Sequence, residues 1–440
     1  MRNVLLRTVS APRVLLRSGS LWVLADQALW SGYNFLGAVL AARLLRPDAY
    51  GAYALGFATW ITVMALSRAF VSQPFVVTAS AKPPSEWHRD ARGAAGAALL
   101  VGGLIGAVLA ATGLLLGAGT STGTVLVLLG AFAPVLVVQD FFRNAAYSVK
   151  APRRSVVNGV VVMFVWAVAL GVVVGLEAAS AGTVFLAWCL GGAIGALLAF
   201  RQFSLMPSLG RRALAWLSGH RHTVGWFGCA ELAYLAGMQT VYGLVSVLLG
   251  DADLGGLRLV MALLGPVQLV VASIQFAGLP WATRRHAEHG MRSAVRPALG
   301  LSGTATAIAL TYLGVLVVAG EGLLLALVGP AYTPFAGLAL PVALGFAFSV
   351  VALGPTLAVK AAGAGRAFAL VQIVVLVLRI GLAASLAAGA GLMGVAWALA
   401  AASLVEALLL WAVLLRAPRR AAEELPAASS QEQRISVESA

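Results

Sequence analysis

Long runs of Ala, Val, Leu, Ile, Gly and Phe alternate with short polar segments along most of this chain. Twelve of the runs are long enough to cross a hydrocarbon core of about 30 Å as helices. They cover approximately residues 21–43, 51–80, 93–118, 122–149, 155–177, 181–203, 223–249, 257–281, 298–319, 336–359, 367–388 and 391–415. The second run is long and carries Arg68 and Pro74, which predicts a bend there. Residues 320–335 are too short and too broken by Gly and Pro to span, so they are expected to lie in the interface or to re-enter it. Residues 1–20 hold Arg2, Arg7, Arg13 and Arg17 among Val and Leu, the pattern of a basic interfacial segment. Residues 204–222 read as a linker, and the polar residues 416–440 as a disordered tail.

The pattern repeats. Leu44-Leu45-Arg46-Pro47-Asp48-Ala49-Tyr50-Gly51 comes after the first run, and Leu248-Leu249-Gly250-Asp251-Ala252-Asp253-Leu254-Gly255 after the seventh, at an offset of 204 residues. The runs leading into these loops also match, with Asp26 and Asn34 eight apart in one and Glu231 and Gln239 eight apart in the other. Eight residues are just over two helical turns, so each acid and amide lie roughly on one helix face. A duplication of this kind divides the chain into an N-terminal lobe of six helices (21–203) and a C-terminal lobe of six (223–415). An even count returns each half to the same side, which relates the halves by a pseudo-two-fold axis along the membrane normal.

Composition changes the picture only by fixing the class. A hydrophobic fraction of 60% and a charged fraction of 10% contrast with about 25% charged residues in soluble domains, so the chain is an all-α integral membrane protein. The formal net charge of +14 would point to nucleic acid in a soluble protein. Here most of the 30 lysines and arginines fall before the first run, after the even-numbered runs and at the C-terminus, whereas the opposite loops hold Arg43, Arg46 and Arg258. That asymmetry predicts a multi-pass membrane protein with both termini in the cytoplasm. Cys189 and Cys229 form neither a disulfide framework nor a metal-ligand spacing. No Gly-x-x-x-x-Gly-Lys-Ser/Thr loop is present, and no cofactor and no nucleic-acid partner are expected.

Seven ionisable residues fall inside the runs: Asp26, Arg68, Asp140, Arg143, Glu231, Arg379 and Glu406. Such groups are costly in lipid and face a cavity or a partner. Asp140 and Arg143, three apart, either pair along one helix or line a cavity. Asp26 and Glu231 either bond a neighbouring helix or serve coupling, together with Asn34 and Gln239. Arg68 and Arg379 have no partner nearby in sequence and are the stronger candidates for cargo contact, because a guanidinium makes paired, charge-assisted bonds to phosphate. Glu406 is expected to reach the interface from near a helix end. Gly102/Gly106, Gly113/Gly117 and Gly191/Gly195 have the spacing of close helix approach. Trp22, Trp87, Trp216, Trp281 and Trp411 lie near run ends, as in an interfacial belt.

The stretch Ala25-Asp26-Gln27-Ala28-Leu29 followed by Ala42-Arg43-Leu44-Leu45-Arg46-Pro47-Asp48-Ala49-Tyr50-Gly51 resembles the opening of bacterial Wzx-type oligosaccharide flippases. These belong to the multidrug/oligosaccharidyl-lipid/polysaccharide exporter superfamily. Leu254-Gly255-Gly256-Leu257-Arg258 with Leu264-Gly265-Pro266 echoes that opening, and Gly329-Pro330-Ala331-Tyr332-Thr333-Pro334 resembles the segment before the family's tenth helix. The resemblance implies a polyprenyl-diphosphate-linked oligosaccharide as cargo, moved from inner to outer leaflet by alternating access for cell-surface polysaccharide synthesis. It also implies a cationic cavity, with Arg68, Arg143 and Arg379 as its candidates, membrane lipids as surroundings, and polysaccharide polymerases or glycosyltransferases as functional partners. A cation-coupled multidrug or metabolite exporter of the same fold is the alternative. A membrane polymerase or glycosyltransferase would need a sizeable outer loop, and all the outer loops here are short.

Overall fold

The computed structural model describes residues 21–416, except 42, 47–48, 118, 246, 251–252, 262, 289–297, 320–321 and 323–333. The basic segment 1–20, the tail 417–440, Glu321 and most of the Gly329–Pro334 segment lie outside the described residues. The described chain is helical, and a helix occupies the position of each of the twelve expected spans.

The N-terminal helices are α1 (Ser18–Leu44), α2 (Pro47–Ser67), α3 (Gln73–Ala79), α4 (Pro84–Leu115), α5 (Ser121–Ser148), α6 (Pro152–Gly175) and α7 (Ala181–Phe203). A short α8 (Arg211–Gly219) precedes α9 (Arg221–Leu248), α10 (Asp251–Ala262), α11 (Gly265–His289) and α12 (Arg292–Val328). Then come α13 (Ala339–Val351), α14 (Leu353–Ala361) and a long α15 entered at Gly365. Prolines mark many of the starts. Pro47, Pro84 and Pro152 each occupy the first turn of their helix, where a missing N–H costs nothing. Ser180 and Thr183 close a reciprocal capping pair at the start of α7.

Among the described residues, eight helical segments are long and apolar enough to cross a membrane, and the bent pair α10/α11 makes a ninth. One of the eight, Gly365–Arg416, has 52 residues, about 78 Å of helix. Gly391 breaks it with a positive φ of 56°, so it supplies both the eleventh and the twelfth expected spans. The apolar residues that face outward, such as Leu104, Phe164 and Val377, are between 67% and 70% exposed and suit contact with lipid.

Two local expectations are corrected, and a third gains its detail. The second span runs over Ala49–Ala79. Near Arg68 and Pro74 it contains a π-helical turn, Arg68–Ser72, in which the Gln73 N–H reaches back to the Arg68 carbonyl. Pro74 cannot bond the carbonyl four residues before it, and one widened turn absorbs the mismatch. The eighth span is not one helix, because α10 and α11 meet at an angle of 56°. Pro266 lies in the first turn of α11 and has no N–H to bond the carbonyl four residues before it, so α10 cannot continue through it. Finally, Trp87 and Trp216 do not line an interface. Both are buried, and the Trp87 indole donates to Ser148 Oγ at 2.9 Å.

The described residues divide into two compact units, one formed by residues 21–232 with 272–280 and the other by residues 233–271 with 281–416. Within the first, α5 is the most buried span. It packs closely on α4 along a seam lined by glycines. A Cβ added to Gly106 would stand 2.4 Å from the Gly130 carbonyl oxygen, and one added to Gly130 would meet Gly106 in the same way at 2.5 Å. Gly102 and Gly113 extend this seam along α4. Close backbone approach of this kind replaces the hydrophobic drive that lipid cannot supply.

Candidate functional site

The last two turns of α5 carry Asp140, Arg143, Asn144 and Tyr147. Their spacing of three, four and seven residues places them on one face. That face meets α1, the π-helical turn and α6, and two ion pairs result. Asp26 of α1 is completely buried. Its Oδ2 accepts from Arg143 Nε at 2.9 Å and from the Tyr147 hydroxyl, and its Oδ1 accepts from Ser155 Oγ at 2.7 Å. Arg143 Nη2 lies 2.8 Å from the same Oδ2 but out of line for a hydrogen bond. Arg68, at the first residue of the π-helical turn, holds Asp140 with a two-pronged grip, Nε to Oδ2 at 2.8 Å and Nη2 to Oδ1 at 2.6 Å. Asn144 Nδ2 secures Asp140 from behind through its carbonyl oxygen at 2.8 Å.

Asp140 and Arg143 therefore do not pair with each other along their helix. Each takes a partner from far away in sequence. The arginine without a local partner, Arg68, gains one 72 residues on. The two pairs together carry no net charge. They differ in access, because the Arg68 side chain is 20% exposed whereas Arg143 is 8% exposed and its partner Asp26 is sealed. The Phe276 ring stands 5.2 Å from the guanidinium carbon of both arginines, and Trp30 covers Arg143 at 4.8 Å. Aromatic faces stabilise the two guanidinium groups without consuming a hydrogen bond.

Beside this cluster opens a small cleft of about 60 Å³. Trp30, Tyr33, Phe57, Trp60 and Trp188 form its aromatic wall, and Asn34, Gln139, Asp140 and Arg143 supply its polar groups. Edge-to-face contacts hold the wall rigid, with Trp188 receiving both Phe57 and Trp60 and Trp166 supporting Tyr33. Gln139 is oriented by Asn158, which in turn donates to the Gly195 carbonyl at 2.7 Å. Asn34 is exposed.

The second unit has a smaller polar cluster. Arg379 is 3% exposed, its guanidinium lies over the Tyr234 ring at 5.4 Å, and Nη2 is 3.7 Å from Glu406 Oε2. Glu406 does not reach outward as expected; it accepts from Gln372 Nε2 at 2.7 Å. Of the eight residues assigned from the sequence to a cavity or to coupling, five (Asp26, Asn34, Arg68, Asp140 and Arg143) meet at the cleft and its adjoining cluster. Arg379 belongs to the other unit, Gln239 is exposed there, and Glu231 is half-buried outside the cleft. The sequence reading missed Tyr147, Ser155, Phe276 and the aromatic wall. Only Tyr147 had a local signal, four residues beyond Arg143 on the same helix face.

No family model matches this chain, and no curated protein matches it in sequence. Among solved structures, a MATE transporter in the bent conformation aligns with a TM-score of 0.79 at 13% identity, covering 97% of this chain and 99% of that one. An outward-facing multidrug resistance MATE transporter of the MOP superfamily aligns at 0.73 and 14% identity, covering 89% and 93%. A MOP superfamily transporter from Pyrococcus furiosus, described as having a binding pocket of reversed polarity, aligns at 0.72 and 14%, covering 90% and 93%. The chain has the fold of these transporters, with twelve helices in two lobes.

Proposed function

We propose that this chain is a membrane transporter that moves a polyprenyl-diphosphate-linked oligosaccharide across the bilayer by alternating access. The observation that carries the reading is the composition of the cleft. A pyranose ring has apolar C–H faces and a rim of hydroxyls. It calls for flat aromatic surfaces beside planar polar groups that can both donate and accept. Trp30, Tyr33, Phe57, Trp60 and Trp188 supply the surfaces, and Asn34, Gln139, Asp140 and Arg143 supply the rim. The two neighbouring arginines suit the diphosphate, because a guanidinium fork matches phosphate oxygens.

Arg68 is the more accessible arginine, and Asp140 occupies its fork. An anionic group that reaches Arg68 competes with Asp140 for the same two N–H donors, so cargo binding and opening of this pair are linked.

A second reading rests on the same wall. Aromatic faces and two carboxylates also suit a flat organic cation, the kind of cargo a multidrug exporter takes. Alanine substitution separates the two. Trp60→Ala and Gln139→Ala should lower transport of lipid-linked oligosaccharide in proteoliposomes at least tenfold, with protein yield unchanged. Full oligosaccharide transport by both variants, or transport of cationic dyes alone, would overturn the flippase reading.

A further inference from the structure

The segment between the two halves was expected to be a plain linker. Instead, residues 205–219 are fixed to the start of a span. The Ser208 N–H donates to the Arg92 carbonyl at 2.9 Å. The contact is so close that a Cβ on Gly96 would stand 2.0 Å from the Ser208 oxygen, and one on Gly93 would meet the Trp216 side chain at 3.0 Å. Ala213 and Trp216 of α8 are buried. His220 caps the end of the helix, its ring stacked on Trp216 at 4.7 Å and its Nδ1 2.8 Å from the Trp216 carbonyl oxygen.

With that face of α8 buried, the exposed side of the segment mixes apolar and basic groups. Met206, Leu209 and Leu214 are 69%, 62% and 58% exposed, and Arg211 and Arg212 are exposed among them. Exposed Arg89, Arg92 and Arg221 flank the segment, while the nearby Asp90 is taken up by Lys82, leaving Glu86 as the remaining acid on the first turns of α4. The level of docking points the same way. Gly93 and Gly96 open the long apolar run of α4, and Arg89, Asp90 and Arg92 end the polar stretch before it. Residues 205–219 are thus clamped where water gives way to hydrocarbon.

We propose that residues 205–219 form an interfacial anchor for the anionic phospholipids of the Lys/Arg-rich side. Met206, Leu209 and Leu214 enter the acyl region, and Arg211 and Arg212 pair with headgroup phosphodiesters. Apolar side chains with arginines between them are what such a surface requires, and arginines near an anionic bilayer each add to its attraction. The anchor ties the start of α4 to its leaflet independently of any cargo.

The test uses the full chain in vesicles of phosphatidylglycerol and phosphatidylcholine. In a Cys189→Ala/Cys229→Ala background, Leu214→Cys carries a fluorophore, and Leu209→Cys provides a second position. Both labels should be quenched by nitroxide on the lipid chains and shielded from aqueous iodide. Spin-labelled phosphatidylglycerol should associate with the protein in preference to spin-labelled phosphatidylcholine, and Arg211→Gln/Arg212→Gln should weaken that preference by about fivefold per arginine. Labels open to iodide at both positions would overturn the anchor. Inserted labels with a lipid preference unchanged by the arginine substitutions would overturn the role of charge.

Discussion

The two ion pairs at the end of α5 are held in different ways, and single substitutions should separate them. Asp26 is buried with three close donors around it, so Asp26→Asn leaves Arg143 buried beside a neutral amide. Breaking a buried pair from one side costs about 3–5 kcal/mol. Asp26→Asn should therefore lower the melting temperature markedly, and Asp26→Asn/Arg143→Gln should recover much of the loss; equal losses in the two variants would contradict the pairing. Arg68 and Asp140 are more open, and an anionic cargo group is proposed to take Asp140's place on Arg68. Asp140→Asn should keep the fold, free Arg68 and raise affinity for inorganic diphosphate. Unchanged affinity, measured by calorimetry on the purified protein, would remove Asp140 from competition for Arg68. Arg68→Ala should abolish oligosaccharide transport without loss of protein, and Arg68→Ala/Asp140→Ala should not restore it. Restoration in the double variant would assign Arg68 to structure alone.

At the scale of the element, the π-helical turn sets the register between Arg68 and the residues that follow it. Each extra residue in a helix rotates the downstream residues by about 100° relative to a regular path, and Pro74 is the reason the turn persists. Pro74→Ala removes that reason. The α-helical path becomes available, and the coupling between Arg68 and Asp140 measured by a double-mutant cycle should fall; an unchanged coupling would show that packing alone maintains the turn. The α4/α5 seam should tolerate nothing larger than glycine at Gly106, and Gly106→Val should cost about 1–3 kcal/mol or more in thermal unfolding. The elements themselves were legible in the sequence, because hydrophobic run length and Pro and Gly placement are local signals. The glycine spacing at 102/106 correctly marked a close approach. The ion pairs were not legible, since spacing offers Asp140 only Arg143, whereas the fold brings Arg68 and Asp26 from other helices. The anchoring helix α8 escaped as well, because nine residues give too short a pattern and its burial depends on Gly93 and Gly96 far upstream.

At the scale of the whole molecule, the sequence repeat sets α1, with 27 residues, against α9, with 28, but the continuous second span against the bent pair α10/α11. The chemistry of the two halves differs. The first holds two ion pairs and an aromatic cleft, while the second holds Arg379, Glu406 and Gln372. A fold shared with MATE transporters at 13–14% identity fixes architecture and leaves cargo to the side chains. The most direct test is leaflet accounting. Cells depleted of this protein would be labelled metabolically, and an enzyme confined to the outside would cut only the outward-facing lipid-linked sugars. The account predicts that labelled lipid-linked oligosaccharide accumulates in the protected inner pool, and that restoring the wild-type chain, but not Arg68→Ala, returns it to the outer pool. An outer pool unchanged by depletion, with cationic dyes retained in the cells instead, would contradict it.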